Sequence, residues 1–212
     1  RASMKNYFDY LKKKNINVKY YNYEQNPKLN KYSLFDPIDK IELQGNYTFF
    51  ESPNFLLTKD NIDCYREKTD KFFFHNFYTW SKKKLDIIPN IKSQDKDNRE
   101  KLPNNEEVPE LLVIKNKYIN DAKIYVEKNF KNNYGNIDNF NLPINHLQAK
   151  KWLKDFIVKR FTKFGKYEDA IHDREPYIYH SILSSSINIG LLNPTEIIDE
   201  IKKYNNTIPI NS

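Results

Sequence analysis

Thiol chemistry is almost absent from this sequence: Cys64 is the only cysteine among 212 residues. A single thiol closes no internal disulfide, and it cannot hold an iron–sulfur cluster or a thiolate zinc site without further cysteines. Cys64 therefore reads as a half-buried residue on a helix. Glycine is scarce too, four in all, and no Gly-rich phosphate loop occurs. The sequence also lacks a His-Glu-x-x-His pair and any Ser-His-Asp spacing that would suggest a nucleophilic triad. His75, His146, His172 and His180 share no common metal-ligand spacing and read as surface or packing residues. No apolar run approaches the ~18 residues needed to cross a bilayer. The opening Arg1-Ala2-Ser3-Met4-Lys5-Asn6 leads into a charged amphipathic stretch without a signal-peptide core. These absences point to an intracellular chain with no membrane partner. Acidic residues are outnumbered, 28 against 35 Lys and Arg, for a net charge of +7. That balance suits a nucleic-acid partner, although the lysines form no single dense block and accompany an abundance of Asn, Tyr and Ile.

What the sequence does have is aromatic surface: 16 Tyr and 14 Phe help bring the aromatic share to 15%. Hydrophobic residues make up 39%, enough for one good core or two small ones. Met4, Tyr7, Phe8 and Leu11 fall at helical spacing and predict a helix over 3–14. Residues 16–21 alternate as a strand does, and Tyr47-Thr48-Phe49-Phe50 is a second strand candidate beyond Phe35-Asp36-Pro37-Ile38. Helix, strand, loop, strand is the pattern of an α/β layer with parallel strands. Two strands are few for such a sheet, so the sequence is expected to begin inside a domain. From residue 58 the pattern turns helical, first over 59–68 and then along the stripe Phe73, Phe77, Trp80 and Leu85. Residues 87–110 hold Pro89, Pro103 and Pro109 among charges and read as a long surface connection. Ile119, Ala122, Val126 and Phe130 form a further helical stripe.

The last third is better punctuated. Asn145-His146-Leu147-Gln148 resembles a capping box that opens a helix over 146–164, with Gly165 as its stop. Asn193-Pro194-Thr195-Glu196 repeats the start signal. Between them residues 179–192 carry few charges and predict a buried helix, in which Ser181, Ser184, Ser185, Ser186 and Asn188 interrupt the apolar residues. Buried hydroxyls need partners. They can bond back to a carbonyl one turn earlier, or face a phosphate at the helix start, which the helix field favours. Glu168, Asp169, Asp173 and Glu175 read as a solvated acidic turn.

Three stretches, Phe164–Ala170, Tyr179–Ser184 and Asn188–Glu196, resemble the flavin-domain signature of the photolyase/cryptochrome family. The likeness is strongest to its prokaryotic deoxyribodipyrimidine photolyase-related branch, which includes iron–sulfur (6-4) photolyases. Asp95–Pro103, and Arg1–Lys5 with Tyr7 and Phe8, resemble the same family. The resemblance implies an α/β then all-α architecture: the remainder of a Rossmann-like antenna domain over 1–57, a helical linker region over 58–114, and the beginning of a helical FAD-binding domain over 115–212. It implies FAD contacts at Tyr167, His180, Ser181, Ile182, Leu183 and Ser184, a ribityllumazine-type antenna as a compatible second chromophore, and DNA as partner. In that family the flavin carries the chemistry and the protein positions it.

The departures shape the expectation. The Gly-Gly-Lys-Trp-type segment before Asp95 is reduced to Asn90-Ile91-Lys92-Ser93-Gln94, and Ser185 stands where Pro often follows the second motif serine. The helices that supply the lesion pocket, the electron-transfer aromatics and the cluster cysteines are not in this sequence. The chain is thus expected to be a truncated or split photolyase-like flavoprotein, inactive alone, with a separate C-terminal photolyase segment as a candidate partner. The alternative is a non-enzymatic remnant that binds nucleic acid or a protein partner.

Overall fold

The structure, a computed structural model, describes residues 1–212 except 38, 40, 93 and 205. Ile38 and Ser93, named above, lie outside the described residues. Helix α1 spans Ala2–Lys13. Strands β1 (Lys31–Phe35) and β2 (Asn46–Phe50) pair in parallel, Lys31 opposite Asn46 and Phe35 opposite Phe50. Helices α2 (Lys59–Glu67) and α3 (Phe74–Leu85) follow, then a 3-10 turn at Asp95–Asp97 and α4 (Lys117–Phe130). The C-terminal third holds α5 (His146–Lys159), α6 (Phe161–Phe164), α7 (Ser184–Asn188) and α8 (Pro194–Lys202). The architecture is helix-rich with one small parallel sheet, in keeping with an α/β segment followed by helices. No helix of the described residues is long and apolar enough to cross a membrane.

The main core forms where the helical stripe is densest. Ala149, Trp152, Leu153, Phe156 and Ile157 of α5 bury against Phe161, Leu183, Leu191, Leu192 and Ile197. Each such large side chain contributes about 1.5–3 kcal/mol when removed from water. A second cluster joins Ala2 of α1 to Ile119 of α4 and to Ile144, so the first helix packs on the C-terminal part of the chain. The α8 start is a full capping box: Asn193 accepts from the Glu196 N–H, and Glu196 accepts in return from the Asn193 N–H.

Several local expectations change. Residues 16–21 form no strand; the Lys5 ammonium sits 3.7 Å from the Tyr20 ring centroid and Phe8 lies 5.9 Å from it, so this segment lies on α1 instead of pairing. The strand that pairs with Asn46–Phe50 is instead Lys31–Phe35, short and set among polar residues. The helix expected over 146–164 breaks at Arg160, where φ is −122° and ψ −31°. Asn145 caps α5 by accepting from the Gln148 N–H, but the Gln148 side chain turns to the Ile144 N–H, leaving the box half-made. Gly165 has an ordinary helical φ of −58°. Its role is close approach, since a Cβ there would stand 2.0 Å from the Asn211 carbonyl oxygen. Cys64 lies on α2 as expected but is exposed.

Candidate flavin-contact junction

The buried helix expected over 179–192 contracts to the five residues of α7. Ile178 and Ile182 adopt φ of 42° and 54°, a left-handed backbone that costs a β-branched residue energy and cannot propagate a helix. The Ser181 carbonyl accepts from the Trp152 indole Nε1 at 2.9 Å. That bond fixes the 181–183 segment against α5 in a non-helical form. Ser181 therefore precedes the helix, Ser184 begins it, and only five aligned peptide units supply the helix field.

Three of the stretches that carry the resemblance, 95–103, 164–170 and 179–184, meet at one junction. Asn98 donates from Nδ2 to Glu168 Oε2 at 2.8 Å, and the Glu100 N–H donates to the Lys166 carbonyl at 3.2 Å. Lys166 returns to Glu100 at 3.1 Å, Arg99 lies 3.7 Å from Asp169, and Asn211 donates to Asn98 at 3.1 Å. Leu102 packs on a buried cluster of Tyr167, Ile178 and Tyr179, in which the two phenol rings stack at 5.6 Å and 26°. His180 has both ring nitrogens on backbone carbonyls, Nδ1 on Tyr177 at 3.1 Å and Nε2 on Glu168 at 3.0 Å.

A polar trio closes the junction from the 87–110 connection. Glu106 accepts from both the Lys163 ammonium and the Tyr179 hydroxyl. The Lys163 hydrogen bond, then that of Tyr179, holds the Glu106 carboxyl below the usual carboxylate range. The bond to Glu106 raises Lys163. Burial, reinforced by the carboxylate, pushes the Tyr179 phenol up to about 12. Beside it, the buried Arg160 guanidinium meets Asp155 Oδ2 at 3.0 Å and the Pro109 and Glu110 carbonyls at 3.2 and 2.7 Å, pinning the connection to α5. Glu106, Arg160 and Trp152 escape a sequence reading because the Tyr179 hydroxyl, the Glu110 carbonyl and the Ser181 carbonyl that they meet stand 29 to 73 residues away.

The six residues implied as FAD contacts divide. Tyr167 and Leu183 are buried in core clusters, His180 is engaged by backbone, and Ser181 and Ile182 are half-buried. Ser184 is exposed and, with Asn54, Phe55, Ser185, Ile187 and Asn188, lines an open depression of about 590 Å³. Two of these residues carry a buried oxygen, Asn54 Oδ1 and Ser185 Oγ, without a hydrogen-bond partner among the described residues. Buried polar atoms of this kind call for a ligand or water. Hydroxyls, amides and a half-exposed phenylalanine ring fit the ring and sugar-like parts of a flavin nucleotide. No lysine or arginine among the described residues lines the depression, so these residues alone leave a diphosphate charge unmatched. Ser185 and Asn188 also border an apolar cavity of about 450 Å³ between α1 and α4. No group of three or more His, Cys, Asp or Glu among the described residues could hold a metal.

The chain is 32% identical over 136 residues to Uncharacterized protein R852 of Acanthamoeba polyphaga mimivirus, covering 49% of this chain and 69% of that protein. It is 35% identical over 72 residues to the (6-4) photolyase of Agrobacterium fabrum, 34% of this chain and 14% of the photolyase. Uncharacterized protein R853 of the same virus matches at 48% over 40 residues, 18% of this chain and 31% of that protein. The family described as deoxyribodipyrimidine photo-lyase-related protein matches residues 28–142, more than half of the chain, and that span includes the Asp95–Pro103 stretch. This chain belongs to the deoxyribodipyrimidine photo-lyase-related protein family.

Proposed function

We propose that the chain supplies one side of a photolyase/cryptochrome-type flavin site, and that these 212 residues do not perform light-driven DNA repair by themselves. The observation that carries the reading is the depression at Ser184, lined by Asn54 and Ser185, whose buried Oδ1 and Oγ atoms have no hydrogen-bond partner among the described residues. It adjoins the segment 181–183 that Trp152 holds in place. Bound reduced flavin would supply the light-driven electron for splitting a pyrimidine lesion in DNA. The chain's own part is to bind and orient. The Ser184 and Ser181 hydroxyls and the Asn54 amide would hold polar groups of the cofactor, with Tyr167, His180, Ile182 and Leu183 fixing the backbone around them. The missing cationic partner for the diphosphate supports a second segment, such as a separate C-terminal photolyase chain, completing the site.

A flavin-anisotropy titration tests it. Free FAD should bind weakly but saturably, and Ser184→Ala should weaken binding about fivefold, as expected for one lost hydrogen bond. Unsaturable binding, or a Ser184→Ala variant with unchanged affinity, refutes the assignment. The alternative, a non-enzymatic binding remnant, draws on the net charge of +7 and on the exposed aromatic face described next.

A further inference from the structure

Residues 66–84 carry a surface that the flavin reading does not use. Phe72, Phe73 and Phe74 are 64%, 62% and 81% exposed, three consecutive phenylalanines at the start of α3. Clustered apolar surface on a folded protein marks a binding face. The Phe74 ring lies parallel to Tyr78 one turn along, centroids 6.3 Å apart and planes 14° apart. The Lys82 ammonium, a further turn along, sits 4.8 Å from the Tyr78 centroid. One edge of α3 thus presents two rings in a row, while Lys82 beneath them is buried and donates to the Ile91 carbonyl. The platform is braced from behind, because Tyr65 of α2 packs against Trp80 at 4.8 Å and Phe77 at 5.1 Å.

Charge chooses the partner. Between residues 66 and 84 six cations stand against two acids, Glu67 and Asp70. The Arg66 guanidinium lies 5.5 Å over Phe72, and Lys68, Lys71, Lys83 and Lys84 are exposed. An apolar protein partner would leave these cations desolvated and unpaired, which is costly. A polyanion with flat aromatic faces satisfies both the rings and the cations. Duplex nucleic acid stacks its base faces away; a single strand offers them.

We propose that the Phe72–Phe74 and Tyr78 face, flanked by Arg66, Lys71, Lys83 and Lys84, binds single-stranded nucleic acid. Bases stack on the exposed rings and phosphates meet the lysines. Recognition is sequence-tolerant, because every base has a stacking face and the site needs no base-edge hydrogen bonds. It is independent of flavin and of any lesion.

The test is fluorescence anisotropy of a labelled oligothymidylate of about 12 nucleotides, at about 50 and 200 mM salt. The chain should bind it more tightly than a duplex of the same length, and more weakly at the higher salt. Phe74→Ala and Phe74→Leu should each lower affinity about tenfold, the loss of one base stack. Leu keeps the apolar volume and so guards against a folding artefact, which near-ultraviolet circular dichroism also monitors. Lys83→Gln with Lys84→Gln should weaken binding and flatten its salt dependence, while Ser184→Ala should leave it unchanged. Three outcomes overturn the proposal. They are no saturable binding at low salt, equal affinity of both Phe74 variants and the parent, and sedimentation showing the face buried in a self-associated form that Phe74→Ala dissolves without changing oligonucleotide affinity.

Discussion

Trp152 and Ser181 are joined by a 2.9 Å hydrogen bond from the indole Nε1 to the backbone carbonyl. This bond links the best-packed helix of the core to the segment implied in flavin contact. Trp152 is buried and Ser181 half-buried. Trp152→Phe should destabilise the chain by about 1 kcal/mol, the net worth of one hydrogen bond to the half-buried Ser181 carbonyl. The urea midpoint should fall with an unchanged slope; an unchanged midpoint would show that the bond carries no load.

The Glu106, Lys163 and Tyr179 trio makes stability depend on pH at both ends. Glu106 is depressed in the fold, so its contribution is present above its unfolded value of about 4.3 and is lost as pH falls through the lower folded value. Lys163 and Tyr179 are raised. Their contributions are complete below about 10 and are lost as pH climbs, for Tyr179 through about 12. Glu106→Gln should flatten the acid limb of urea midpoint against pH. In an alkaline difference spectrum, Tyr179→Phe should remove one late-titrating phenol. A spectrum in which all the late signal survives that substitution would contradict the assignment.

Gly165 tests the close approach of the tail. A methyl group at this position would meet the Asn211 carbonyl oxygen at 2.0 Å, a contact that backbone on both sides cannot relieve cheaply. Gly165→Ala should release residues 206–212 from the α6 end and break the Asn211 to Asn98 bond. Limited proteolysis followed by mass measurement should then show early C-terminal trimming. Parent-like resistance would mean the tail is not docked there.

The parts of this fold that were legible in the sequence are those decided within a few residues. The α8 start is one, since Asn193, Pro194 and Glu196 settle it locally. The α4 and α5 stripes are others, because burial follows helical spacing over several turns. The α7 region was misread because its helical pattern is overridden by tertiary contact: the Trp152 bond and the left-handed Ile178 and Ile182 hold 178–183 out of the helix. β1 was missed because a five-residue alternation among polar residues resembles a loop. At the junction, the stretches 95–103, 164–170 and 179–184 were each recognisable from family resemblance. Their meeting was not, since it depends on Asn98, Glu100 and Leu102 reaching partners in the last third of the chain.

On the proposed function, these 212 residues form one side of a flavin site and not the whole of it. Gel filtration with absorbance at flavin wavelengths tests this most directly, run once with FAD in the column buffer and once without. The account predicts flavin absorbance under the monomer peak only when FAD is present in the buffer, and less of it for Ser184→Ala. A monomer that keeps one FAD per chain in flavin-free buffer would contradict it, as would a monomer peak with no flavin under either condition.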